Sequence, residues 1–233
     1  MKIRFLMVAM PAATIFVMFM NHYLRDTVGA LEKQMETDLG LKPSQYDMLN
    51  SLFFMPNIIA PLFTGSLCDT FGRPSRFLLF CALLGAFGNL LFVLGAQNVS
   101  IPLFYLGRFL CGSTYEIIDT VPIIILGPMF KKNWGLIVGM MNGFLRLGTV
   151  LTFALSPLLY REYGVMCALW AGAIVGGLGV ISALIANILD VRLTQLEEGE
   201  GEGEFDWGVE GFDSDSDSGG GSGSGSDSGS GSG

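Results

Sequence analysis

Six runs of predominantly apolar residues divide the first 192 positions of the chain, at roughly 4–23, 47–67, 77–97, 102–127, 134–159 and 165–189. A bilayer core about 30 Å thick is crossed by a helix of about 20 such residues. Helices are the natural solution there, because backbone polar groups in lipid must be satisfied within the segment itself. The pattern predicts an all-α fold, a six-transmembrane-helix bundle over residues 1–192. It excludes an ordinary water-soluble domain: only 15% of the 233 residues are charged, against about 25% in soluble globular proteins. Lys2 and Arg4 precede the first run as in a secretory leader. No small-residue cleavage site follows it, so the run is read as a retained first helix.

The formal charge of -8 is unevenly placed. All 13 Lys and Arg lie at or before Arg192, whereas every charge beyond it is acidic, from Glu197 to Asp227. Residues 193–233 pass from a Glu-Gly alternation into Asp-Ser and Gly-Ser repeats. Such a segment buries too little apolar area to offset its ordering entropy, which predicts a disordered acidic cytoplasmic tail. Neither part offers the basic face that nucleic acid requires. With the N-terminus in the cytoplasm, Lys2, Arg4, Arg73, Arg76, Lys131, Lys132 and Arg192 fall inside. Arg25, Lys33, Lys42 and Arg161 fall outside. That bias places both termini on the cytoplasmic side. The first outer loop, 24–46, reads as a short amphipathic segment over the first two helices.

No catalytic constellation is visible. His22 is the one histidine; it has no matched nucleophile and is read as an interfacial residue at the outer end of the first span. There is no phosphate-cradling Gly-Lys-Ser/Thr loop, and Cys68, Cys81, Cys111 and Cys167 lack metal-ligand spacing. These cysteines read as reduced, buried small hydrophobes. An enzyme, a metal site or a cofactor is not expected.

Packing within lipid relies on small residues that let backbones approach. Gly135, Gly139 and Gly143 form one such stripe, and Gly172 and Gly176 another; both are read as helix-packing faces. Pro11, Pro56, Pro61, Pro122 and Pro157 fall within the spans. Each interrupts a helical hydrogen bond, which suits a bundle that moves.

Between the second and third spans stands Gly65-Ser66-Leu67-Cys68-Asp69-Thr70-Phe71-Gly72-Arg73-Pro74-Ser75-Arg76. Gly65 permits close helix contact, Asp69 sets a charge at a helix end, and Gly72 supplies a tight turn. Arg73 can pair with Asp69 or with a lipid phosphate. The segment resembles the G-x-L-x-D-x-x-G-R signature of the major facilitator superfamily, although Thr70 and Pro74 stand where that family commonly has basic residues. Arg108-Phe109-Leu110-Cys111-Gly112 in the fourth span is similar to the family's R-x-x-x-G element. The runs Tyr46…Met55-Pro56-Asn57, Gly107-Arg108-Phe109…Glu116 and Arg146-Leu147-Gly148 resemble the branch that contains lysosomal dipeptide uniporters. The resemblance implies a cytoplasmic latch built from Gly65, Asp69, Gly72 and Arg73, with Arg108 in a structural or gating role. It also implies a lysosomal or vacuolar membrane.

Charges within a bilayer are costly and usually face a cavity or a partner. Four qualify: Arg108, Glu116, Asp119 and Arg146. At about 1.5 Å rise per residue, Glu116 lies about 20 Å below the outer surface and Arg146 about 18 Å above the cytoplasmic one. The two long side chains are therefore at similar depth on neighbouring spans. One reading is a zwitterion clamp, with Arg146 holding a carboxylate through its forked donors and Glu116 meeting an ammonium group. In the dipeptide-transporting branch the corresponding residues touch substrate, which the resemblance carries to these two. The alternatives are a permanent Glu116–Arg146 ion pair and proton coupling through Glu116 or Asp119. Asn57 and Asn142 are candidate polar linings of the same cavity.

Major facilitators pair two six-helix halves around a midplane site. The expected function is alternating-access transport of a small organic solute, dipeptides or similar zwitterions, by one such half. The expected partners are that solute, the lipid bilayer and a second six-helix half. A different class of function also fits: a non-transporting membrane scaffold whose acidic tail recruits a cytosolic protein.

Overall fold

The structure is a computed structural model that describes residues 2–199, with side chains over 5–196. The acidic, Ser/Gly-rich stretch from residue 200 onward lies outside the described residues, and with it most of the expected tail. Among the described residues the chain is helical throughout, with no strand. The elements are α1 (Lys2–Ala30), α2 (Glu32–Asp38), α3 (Pro43–Thr70), α4 (Pro74–Gln97), α5 (Ile101–Leu126), a single 3-10 turn (Pro128–Phe130) and a 66-residue helical run (Trp134–Gly199).

That last run would measure about 100 Å if straight, some three bilayer cores. It is not straight. Gly164 sits at φ 82, ψ 172, a region that only glycine occupies at low cost, and the chain doubles back there. Contacts on both sides demonstrate the reversal. Before Gly164, Thr152 Oγ1 donates to the Tyr23 carbonyl at 3.3 Å; beyond it, Ser182 Oγ donates to the Ala13 carbonyl at 2.9 Å. The two segments, here α6 (134–163) and α7 (165–199), flank α1, one parallel and one antiparallel to it.

Five helical stretches are long and apolar enough to cross a membrane, the last being the reversed run Trp134–Leu196. Helices therefore cover the apolar runs of the sequence, most with longer edges. α1 continues to Ala30 instead of ending near 23, and α7 continues to Gly199. The predicted outer segment shrinks to α2, which buries Met35 and leaves Glu32 and Lys33 exposed, with Leu31 and Leu41 buried on either side of it. Pro11, Pro56, Pro61, Pro122 and Pro157 all sit inside helices.

Glycines decide the closest approaches. A Cβ on Gly112 of α5 would collide with the backbone of Phe53 in α3. On Gly88 of α4 it would lie 2.9 Å from the Cys111 nitrogen, and on Gly148 of α6, 2.6 Å from the Phe19 carbonyl oxygen. Gly172 and Gly176 pack on Leu24 as their spacing suggested. The other stripe behaves differently: Gly135, Gly139 and Gly143 have nothing within 4 Å and face open space. Two cysteines also depart from expectation, since Cys167 is exposed and Cys111 only half-buried.

At the end of the bundle opposite α2, Gly72 takes φ 70 and its amide bonds to the Asp69 carbonyl at 3.1 Å, forming the turn that the loop sequence called for. Ser75, wholly buried at the start of α4, reaches Asn187 Oδ1 at 3.1 Å and Asp190 Oδ2 at 2.6 Å on α7.

A polar layer between the first and fifth helices as the candidate functional site

α1 and α5 are apolar helices, yet they meet through polar side chains. His22 is 3% exposed, and its Nε2 lies 2.8 Å from Asp119 Oδ2. The Tyr115 hydroxyl lies over the same ring, 3.1 Å from Nδ1 and 3.0 Å from Nε2. Asn21 Nδ2 donates to Asp119 Oδ1 at 3.3 Å and to the Tyr115 carbonyl at 3.1 Å. One turn further along α1, Arg25 donates to the Tyr115 hydroxyl at 2.6 Å and pairs with Asp26. A carboxylate, an imidazole, a phenol, an amide and a guanidinium thus form one connected layer.

The local reason is helical register. Asn21, His22 and Arg25 share a face of α1, and Tyr115 and Asp119 share one of α5, at spacings of three or four residues. Burying such groups singly is expensive; connected, each donor finds an acceptor.

Arg108 is buried on the same helix, two turns from Tyr115. Its Nη2 donates to the Arg25 carbonyl at 3.3 Å, and its guanidinium lies 4.3 Å from the Phe53 ring centroid and 5.9 Å from that of Phe92. It forms no salt bridge among the described residues.

The residues singled out by sequence fall into distinct settings. Glu116 is half-buried on α5, with no side-chain hydrogen bond among the described residues. Arg146 and Asn142 are exposed on α6, on the same open side as the glycine stripe. Glu116 and Arg146 form no ion pair, so the permanently paired alternative is not what the structure contains. Asn57 is half-buried on α3, and both of its side-chain polar atoms lack partners. Asp119 is in the polar layer. At the other end, Gly65 and Asp69 are exposed, and Arg73 reaches Thr194 of α7 at 3.5 Å instead of Asp69.

Sequence reasoning missed His22 and Arg25. His22 is not an interfacial residue but the centre of the α1–α5 contact, and Arg25 belongs to a helix rather than a loop. The available signal was the Asn21-His22-x-x-Arg25-Asp26 cluster at the end of an otherwise apolar run.

The model of the Major Facilitator Superfamily matches residues 14–209. Among curated proteins, the chain is 24% identical over 191 residues to the lysosomal dipeptide transporter MFSD1 of Homo sapiens, covering 78% of this chain and 41% of that protein. The Bos taurus protein of the same name matches with the same figures. The chain therefore spans about two-fifths of the length of these relatives.

Proposed function

The chain belongs to the Major Facilitator Superfamily, and we propose that it forms one six-helix half of a carrier for small zwitterionic solutes, dipeptides among them. It is a multi-pass membrane protein and a carrier type rather than an enzyme. With the reversal at Gly164, the five apolar stretches would make six crossings. An even number of crossings returns the C-terminus to the side of the N-terminus, which the loop charges assign to the cytoplasm. The relatives' lysosomal description supports an organellar, lysosome-like membrane. The acidic stretch from residue 200 onward would then be cytoplasmic, and residues 193–199, expected as part of the tail, instead continue α7.

The single observation that carries the reading is where unsatisfied polarity has been left. Among the described residues Glu116 and Arg146 have no ion-pair or side-chain hydrogen-bond partner, and Asn142 bonds only to the Val138 carbonyl of its own helix. Charges in lipid persist where a cavity or a partner meets them. A second six-helix half, on the same polypeptide or another, supplies the facing wall. Between the halves, Arg146 takes the solute carboxylate and Glu116 its ammonium group, with Asn57 and Asn142 lining the passage. Alternating access follows as the halves rock about this site. Asp69, Gly65, Gly72 and Arg73 hold the cytoplasmic end against the second half, Arg108 braces the outer part of α5, and Asp119 is the candidate for carrying a proton.

Proteoliposomes of the complete carrier test this with uptake of a labelled dipeptide. Glu116→Gln and Arg146→Ala are each expected to lower uptake about tenfold or more, since a charge-assisted hydrogen bond is lost. Wild-type uptake in both variants removes the clamp. No uptake by the wild-type protein favours the scaffold reading instead.

A further inference from the structure

A cavity of about 30 Å³ lies inside this half, between α1, α3, α4, α5 and α7. Asn21 and Arg25 of α1, Phe53 of α3 and Arg108 and Tyr115 of α5 line it. Small positions, Gly85 of α4 and Gly176 of α7, form the opposite wall. Arg108 is 5% exposed, and its Nε is a buried donor with no partner.

Each carboxylate at this level is engaged elsewhere. Asp26 is held by Arg25, and Asp119 by His22 and Asn21. Glu116 lies about 12 Å from Arg108 along α5. A buried guanidinium resting on two aromatic faces and one carbonyl is a charge without a counter-charge. Native proteins seldom leave such a group unmatched.

We infer that this cavity binds a small monovalent anion of halide size, held by Arg108. A space of 30 Å³ accommodates an ion about as large as water. Its lining does not include Glu116 or Arg146, which separates this site from the proposed solute clamp. The largely apolar wall strengthens the attraction between the ion and the guanidinium. A bound water would satisfy Nε but would leave the charge unmatched. The ion sits between α1 and α5 beside the polar layer, so its effect is on the stability of this half. The inference does not depend on which solute is carried.

Thermal unfolding of the purified full-length protein in detergent tests this, with sodium chloride exchanged for sodium gluconate at fixed ionic strength. Chloride at about ten times its dissociation constant is expected to raise Tm by about 3 to 6 °C, saturably, and Arg108→Gln to abolish the rise. Equal Tm in the two salts overturns the proposal and assigns the cavity to water. A rise of the same size in Arg108→Gln also overturns it, placing the ion elsewhere. Should Arg108→Gln not fold, crystals of the wild-type protein grown in bromide decide: an anomalous peak beside Arg108 supports the site, and its absence rejects it.

Discussion

His22 Nε2 and Asp119 Oδ2 stand 2.8 Å apart, joining two helices whose contacting residues are 97 positions apart in the chain. His22 is buried and Asp119 half-buried, and the carboxylate is shared with Asn21. Asp119→Ala leaves an imidazole and an amide without their acceptor. The expected cost is about 1–3 kcal/mol, read as a lower Tm in detergent. An unchanged Tm would mean that the α1–α5 layer contributes nothing to the fold.

Gly112 and Gly143 are both helical glycines, but they predict opposite outcomes. Alanine at 112 drives a methyl group into the Phe53 backbone, which α3 cannot yield without moving. Gly112→Ala should cost about 1–3 kcal/mol as an overpacking change. Gly143 meets nothing, so Gly143→Ala should stay within about 0.5 kcal/mol in the unfolding of this half. Fluorescence-monitored thermal unfolding of both variants checks the contrast.

At Gly164 the backbone holds a conformation closed to side chains, φ 82 and ψ 172. Gly164→Ala is expected to destabilise by about 1–3 kcal/mol and to loosen the α6–α7 reversal. Cysteines placed on either side of the turn, probed with a membrane-impermeant thiol reagent, would report the change. Identical labelling in the two proteins counts against the strained reversal.

Ser75 supplies the only described hydrogen bond to Asp190 Oδ2, at 2.6 Å from a fully buried position. Ser75→Ala leaves that half-buried carboxylate oxygen short of a donor, at an expected cost of about 1 kcal/mol. Ser75→Thr, which keeps the hydroxyl, should recover part of the lost Tm. Equal Tm values for the alanine variant and the wild type would show that the α4–α7 contact is held by its apolar neighbours alone.

Much of the architecture was legible along the chain. The cost of placing a backbone in lipid is local, so runs of apolar residues located every long helix, and Gly72 marked its turn by its own conformational freedom. What the runs could not give was azimuth. Whether Gly139 packs inward or faces open space, and whether Arg146 meets Glu116, depends on how each helix is rotated against neighbours many residues away. That rotation is set by the sum of side-chain fits across α1, α5 and α6. The apolar pattern alone therefore determined a membrane-embedded helical bundle and the candidate charges within it. Only the tertiary structure decided that His22 would meet Asp119 and that Arg108 would remain without a carboxylate, because both outcomes depend on which helix faces which.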